Sequence, residues 1–485
     1  MTYPGVIFWV LLLWGAVSRG PVLLYLLMGS LAIGSLAVVP PSLTGGVTIQ
    51  PDSVCAAVFF VKTICRPHAA RWMIDAALRP QKFLLLTMFL LICVVCTIFA
   101  PDLFAGIAVM PLRASGGELA PIALHHSAAN VSQMGYLSLS AGTALAFAYA
   151  AQRPGFLAQI MRGYLVCGFV LVVTGLMDIT AQRLGLESLL TPFRNATYSF
   201  LIDNVVGGYQ RVIGLMPEAS AYGPACVSAA AVLAMLRPLY PAGVQRNLCV
   251  GLLVALLLLG FLSTSTTAFA SIAMFAVIYG ADWCRRAASP RAVGRATLPV
   301  ELAVAGALIL AAALVLAFDD ALLRGSMAML DETVFDKTGT TSYLVRSYWN
   351  AVSWADVAAS YGMGVGVGST RSSDWVVALV SNTGILGAFT LGMVFLQAFL
   401  RNPGHDRQRA GVATALKFAM IIPLAAETVS SPVPDFGLGV AILLGTIAGV
   451  SLTRSSRAAT SRVRAAYQPD DDNDLDIPAP AMLAG

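Results

Sequence analysis

Long apolar runs separated by short polar breaks dominate the chain. Runs of about twenty apolar residues recur, the length a helix needs to cross the hydrocarbon core of a bilayer. Read between polar breaks, they predict about thirteen membrane-spanning helices. These fall at approximately 4–18, 21–39, 53–66, 83–100, 131–150, 163–180, 219–236, 248–262, 267–282, 299–318, 375–398, 412–428 and 436–452. The first, third and eighth are short. A transmembrane β-barrel strand would instead alternate apolar and polar residues over about ten positions. The expected fold is therefore an all-α polytopic transmembrane domain over residues 1–452. The opening MTYPGVIFWVLLLWGAV has no basic stretch before its apolar run. It reads as the first span and not as a cleavable signal.

Composition supports this class. Apolar residues make up 58% of the chain and charged residues 11%, with mean hydropathy +0.77. A soluble globule carries about 25% charged residues. The net charge of +5 is small and implies no nucleic-acid partner. Its distribution is more informative, because Lys and Arg concentrate in cytoplasmic loops. One set of alternate loops, with the C-terminal tail, holds twenty of them and the opposite set eight. This predicts an N-terminus outside the cytoplasm and a cytoplasmic C-terminus. Three predicted outer loops are long: 101–130, 181–218 and 319–374. The tail at 453–485, basic and then acidic, has the composition of a disordered segment.

The signatures of soluble enzymes are absent: there is no P-loop, no H-E-x-x-H and no G-x-S-x-G. Chemistry is then expected where polar residues collect, on the outer loops. Gly362–Gly368 reads GMGVGVG. It is either a close-packed loop end or a backbone nest facing an anion. Arg211, Arg346 and Arg371 lie on outer loops near span ends, and Arg suits bidentate phosphate recognition. Glu218 lies where a span begins, a costly place for an acid unless it is paired or used. It is a candidate base, or a partner for Arg211. Glu427 is a second acid near the outer end of a span, with no motif around it. Trp349, Trp354 and Trp375 suit an interfacial belt or a stack on a sugar face. His125 and His126 could begin a metal site, but no third ligand is evident. Asn195-Ala196-Thr197 matches a glycosylation acceptor. Cys93 and Cys96 form a C-x-x-C pair inside an apolar span, where they read as small packing residues. Lys62 and Lys417, inside spans, read as snorkelling side chains.

Three stretches resemble the O-antigen polymerase and ligase superfamily of bacterial membrane proteins. RVIGLMPEASAYGP at 211–224 resembles the family's Arg-x-x-Gly-x-x-x-Glu-x-Ser junction. FLSTSTTAFA at 261–270 resembles its Ser/Thr-rich junction after an apolar span. Arg346, Trp349, Gly364-Val365-Gly366 and Gly384-Ile385-Leu386-Gly387 follow the order of its long-loop elements. The resemblance implies a metal-independent membrane glycosyltransferase with a GT-C-like fold and no cofactor. Its donor would be an oligosaccharide on undecaprenyl diphosphate, and its partners the lipid bilayer, a chain-length regulator and a flippase. Ligases of the family carry a His about eleven residues before the first Gly of Gly-x-x-Gly. Here that position is Ser373, followed by Asp374, and no His lies in the large loop. This departure favours the polymerase.

The expected catalytic residues are Arg211, Arg346 and Glu218. Arg371, Trp349, Asp374, Gly364 and Gly366 are expected to bind substrate. The rival readings are a ligase, a transporter of polysaccharide or lipid-linked sugar, and a non-catalytic scaffold. A transporter would be expected to show internal repeats and charges at the bilayer midplane. No clear repeat is present, and the charges cluster outside.

Overall fold

The computed structural model describes residues 2–44, 47–112, 120–196, 205–206, 209–289, 294–303, 305–306, 341–404 and 406–466. The chain is a multi-pass helical membrane protein. Among the described residues seven helices are long and apolar enough to cross a membrane. They are α5 (Leu84–Leu103), α7 (Phe156–Leu184), α8 (Ala219–Leu236), α9 (Val244–Leu262), α10 (Thr266–Ala288), α12 (Trp375–Leu400) and α13 (Arg407–Ser430). The remaining helices are α1 (Tyr3–Val17), α2 (Val22–Ser30), α3 (Pro51–Ile64), α4 (Ala69–Leu78), α6 (Ala128–Ala150), α11 (Thr341–Ala359) and α14 (Gly437–Ala466). Two short antiparallel pairs, Ala108–Val109 with Ile122–Ala123 and Val205–Val206 with Tyr209–Gln210, sit in the polar connections.

Several expected boundaries move. The helix expected over 21–39 stops at Ser30. Beyond it, Ser35 and Val38 donate backbone N–H groups to Leu215 (3.0 Å) and Ile49 (3.0 Å). Gly34 lies against Met216, so this stretch packs on the 211–218 segment. Helix α6 is long enough to span but is not apolar enough to meet lipid all round. Gly445 and Gly449 of α14 pack face-on against Ala144 and Ala148, and a Cβ at Gly445 would lie 2.9 Å from that of Phe147. Small residues four apart let two membrane helices approach this closely. The expected loop 319–374 contains the amphipathic helix α11. The expected tail is helical through Ala466. The expected span 299–318 lies mostly outside the described residues.

The two lysines within spans have a common use. Lys62 Nζ donates to the carbonyls of Gly15 (2.8 Å) and Ser18 (2.5 Å) at the end of α1. Lys417 Nζ donates to Phe399 (2.8 Å) and Arg401 at the end of α12. Open carbonyls at a helix C-terminus need donors, and the helix dipole favours a cation there. Each lysine therefore caps a neighbouring helix.

Helix α12 is broken at Gly384, whose φ of +73° lies in the left-handed region. Irregular backbone at membrane depth persists only where protein satisfies its polar groups. The glycine run does so. Val365 N–H donates to Ser381 (2.8 Å), Gly366 N–H to Asn382 (3.1 Å) and Ile385 N–H to Gly362 (2.9 Å). A Cβ on Gly384 would sit 2.5 Å from the Met363 carbonyl oxygen. Gly384→Ala is expected to cost roughly 2–4 kcal/mol from that clash and the left-handed strain. Thermal unfolding in detergent should show a clear drop in Tm, and an unchanged Tm would refute this account of the break.

Candidate functional site

The site is built at the ends of α8, α10, α11 and α12. Arg211 lies in the segment before α8. Its Nε donates to the Ser263 carbonyl (3.2 Å) in the turn between α9 and α10, and its own carbonyl accepts from Gln182 Nε2 (3.2 Å). Two of the three resembling stretches are thus in direct contact. The 211–216 segment is pinned from below by Asp178 on α7. Asp178 Oδ2 accepts the N–H groups of Ile213 (2.8 Å) and Gly214 (3.0 Å). Its Oδ1 pairs with Arg194 Nη2 at 2.7 Å, and that nitrogen also donates to the Gly214 carbonyl (2.9 Å). Both side chains are buried. Gly214 turns at φ +56°, with Tyr222 against the position a Cβ would occupy.

Arg346 and Arg371 arrive from the large loop. Asn350 Oδ1 on α11 accepts from Ser372 Oγ (2.5 Å), Ser373 N–H (2.9 Å) and Ser373 Oγ (3.1 Å). Ser373 Oγ also donates to the Arg346 carbonyl (3.1 Å). Ser353 Oγ donates to the Arg371 carbonyl (2.9 Å), and Arg371 N–H to Met110 (2.8 Å). The Arg371 guanidinium lies 4.0 Å from the centre of the Trp349 ring. Its Nε is buried without a hydrogen-bond partner.

These groups act on one another electrostatically. Burial lowers the pKa of Arg211; the Glu218 carboxylate raises it and the Arg346 charge lowers it further. Burial also lowers Arg371, with Arg346 pulling down and Glu218 pushing up. Arg211, Arg346, Arg371 and Glu218 therefore form one cluster of three cations and one anion. Among the described residues, no carboxylate comes within 4.0 Å of any of the three arginines. Glu218 accepts a short hydrogen bond from Ser220 Oγ at the start of α8.

A cavity of about 440 Å³ adjoins Glu218 between α7, α8, α13 and α14. Glu427, Ser430 and Ser431 also line it, and Leu171, Val232 and Leu443 belong to its apolar wall. The volume is that of an ordinary ligand site. Glu427, which had no motif to support it, thus shares a cavity with Glu218.

Other expected site residues have different surroundings. Asp374 caps α12, its Oδ1 accepting from Val376 (2.8 Å) and Val377 (3.3 Å). Gly364 and Gly366 have φ of +82° and +96° and are buried against the broken helix. Every N–H from 364 to 368 donates within the protein: Ser360 Oγ, Thr97 Oγ1 and Asn382 Oδ1 accept the three not already named. No donor there remains for an anion. The glycine run is thus a packed turn and not a nest. Trp375 is buried and donates to the Asp435 carbonyl, while Trp354 is exposed. Asn195 exchanges hydrogen bonds with Ala37 through both ends of its amide (2.6 and 3.2 Å). It is a structural link and not a free glycan acceptor. His126 faces Asp102 at 3.4 Å on an exposed surface, and among the described residues no cluster of three potential metal ligands occurs.

Sequence reasoning passed over Asp178, Arg194 and Asp356. The signal for Asp178 was present, since it is an acid inside an otherwise apolar run. Asp356 on α11 is fully buried, and neither carboxylate oxygen has a hydrogen bond of good geometry. Burial raises its pKa from 3.8 to about 6, and the nearby Thr370 hydroxyl pulls the other way.

No protein-family model, curated protein or solved structure matches the chain.

Two outcomes are expected here. Asp178→Ala leaves Arg194 buried without its partner, which costs on the order of 3–5 kcal/mol. A Tm equal to wild type would show that the 211–216 segment does not depend on this pair. Asp356 binds its proton more tightly in the folded state. Stability is therefore greatest below pH 4 as far as this group is concerned, and falls as pH rises from about 4 to 6. Asp356→Asn should remove that dependence and stabilise the protein above pH 6 by roughly 3 kcal/mol, at 1.36 kcal/mol per unit. Unfolding measured across pH 4–8 checks it; parallel curves for the two proteins would exclude the assignment.

Proposed function

We propose that this protein is a polysaccharide polymerase, joining repeat units carried on undecaprenyl diphosphate into exopolysaccharide, capsule or O-antigen chains. The observation that carries the reading is the cluster of Arg211, Arg346 and Arg371 around Glu218. Three guanidiniums with one carboxylate leave positive charge for a diphosphate to satisfy. They come from stretches far apart in the sequence, and Arg211 and Arg346 belong to the stretches that resemble the polymerase and ligase superfamily. In this reading the site faces the periplasm of the inner membrane, the N-terminus is periplasmic and the C-terminus cytoplasmic. The fold is of the GT-C kind, with a flippase and a chain-length regulator as partners.

In the transfer, an acceptor hydroxyl oxygen attacks the anomeric carbon of the growing chain. The bond from that carbon to the diphosphate oxygen breaks, and undecaprenyl diphosphate leaves with the electron pair. Arginines placed where negative charge develops stabilise the leaving group. Trp349 holds the Arg371 guanidinium flat, so its role is to orient an anion ligand. Glu218 balances the arginine charge. Glu427, which lines the same cavity and whose electrostatic neighbours are Ser431 and Asp435 and not an arginine, takes the hydroxyl proton in this reading. The apolar wall suits the first part of a prenyl chain.

Arg211→Ala and Arg346→Ala should each reduce polymer formation by about 10²–10³, the usual cost of a lost charge-stabilising donor. Arg→Lys should rescue little, because an ammonium cannot reproduce the fork. The lipid-linked glycan profile of the mutant strains is the readout, with membrane abundance of the protein as control. Accumulation of single lipid-linked repeats is the expected result. Accumulation of long lipid-linked polymer would make the protein a ligase, and wild-type chain length in both mutants would overturn the site.

A further inference from the structure

The opposite end of the bundle carries a second concentration of arginines. Helix α10 starts beside the Ser263 carbonyl that Arg211 reaches and runs 23 residues, so its far end is about 34 Å away. There the last turns of α10, the first turns of α13 and the turn after α8 enclose a cleft of about 260 Å³. Arg285, Arg286 and Arg407 line it, together with Asp282, Ser289 and Thr414.

The charges in and behind this cleft do not balance. Asp282 Oδ1 accepts from Arg285 Nε (3.1 Å) and Nη2 (2.6 Å), and its Oδ2 accepts from Arg286 Nε (2.8 Å). Arg286 also forks onto Glu301, through Nη1 (3.0 Å) and Nη2 (2.8 Å). Glu301 accepts in addition from Arg237, Thr297 Oγ1 (2.7 Å) and Tyr279 (2.8 Å). Two carboxylates thus serve three guanidiniums, and both are fully engaged. Arg407 adds a fourth cation, with no carboxylate within 4.0 Å among the described residues. Two positive charges remain at a membrane boundary, beside hydroxyls and beside an apolar wall that includes Met235, Leu239 and Ala415.

We propose that this cleft binds a phosphate group, and that the adjoining apolar wall makes the phosphate of an anionic phospholipid the preferred source. Arg407 and the free edge of Arg285 supply the charge, Ser289 and Thr414 the hydroxyl contacts. Met235, Leu239 and Ala415 border the glycerol and the first acyl carbons. Basic pockets between membrane helices bind anionic head groups by this combination. The site is independent of the arginine cluster at the other end and of the reaction proposed there.

The test uses the full-length protein, purified in a neutral detergent and returned to phosphatidylcholine nanodiscs. Phosphatidylglycerol is titrated in one arm and inorganic phosphate in another, with retained lipid read by native mass spectrometry and stability by thermal unfolding. Wild type should retain phosphatidylglycerol over phosphatidylcholine and gain thermal stability with it. Arg407→Ala, which breaks no ion pair, should weaken phosphatidylglycerol binding about fivefold while leaving the lipid-free Tm unchanged. Stabilisation by inorganic phosphate, lost in Arg407→Ala, would support the phosphate site and assign it to a free anion. Equal phosphatidylglycerol retention by wild type and Arg407→Ala, or no preference over phosphatidylcholine, would overturn the proposal.

Discussion

Three guanidinium groups that share a single carboxylate repel one another, and the end of the bundle that carries them is built to withstand that repulsion. Like charges held together at low effective dielectric cost several kcal/mol, which other interactions must offset to keep them in place. Arg211 is held through its neighbours: Asp178 binds the backbone two and three residues on, and Ser263 takes its Nε. Arg371 is held by the Trp349 ring and by hydrogen bonds at its own backbone. Arg346 is tied through its carbonyl to Ser373. None of these restraints neutralises charge. They fix position while leaving the charge available, which is the arrangement an anion-binding site requires.

The polar joints that make this possible are internal to an apolar frame. A helix bundle in lipid can afford few unsatisfied backbone groups. The break at Gly384 exposes several, and the 362–368 turn meets them with its own N–H and carbonyl groups. The same turn returns the chain toward Arg371 and Asp374. The broken helix and the glycine run are therefore one device, which ends the large loop at a fixed point beside Arg346. Asp178 performs the matching task on the other side, its carboxylate standing in for backbone acceptors of the Ile213 and Gly214 N–H groups. Each joint uses buried polar atoms that are close to fully hydrogen-bonded. Asp356 is an exception, as are the Nε atoms of Arg194 and Arg371, and the Asp356 carboxyl is correspondingly easier to protonate.

Apolar run length and the contrast with polar loops were enough to read the helical membrane class and most helix positions. They located α6 as well, expected at 131–150, although its mixed composition relies on cover from α14 and not on lipid alone. They failed where an apolar stretch is not helical, as at 31–39, which packs on the 211–218 segment. For the site, residue type sufficed to pick out Arg211, Glu218, Arg346 and Arg371, because charged groups are scarce in this chain. Spacing did not disclose their supports. Asp178 and Arg194 lie sixteen residues apart on different elements, and their pairing is a product of the tertiary fold. Glycine pattern was ambiguous between an anion nest and a packed turn. Only the hydrogen-bond partners of residues 364–368 separate the two.

The two acids at the cavity differ in what surrounds them, and that difference argues for a division of labour. Glu218 precedes α8, whose N-terminus favours negative charge, and it faces Arg211 and Arg371. Its charge offsets part of that of the arginines. Glu427 has no such cation, and shares its end of α13 with Ser430 and Ser431. The cavity between them has hydroxyls beside both acids and hydrocarbon elsewhere on its wall. It matches a molecule with a polyhydroxylic head and an apolar tail. In the proposed transfer, the same side of the bundle would supply positive charge for the leaving diphosphate, a carboxylate for the acceptor's proton, and an apolar wall for the lipid carrier.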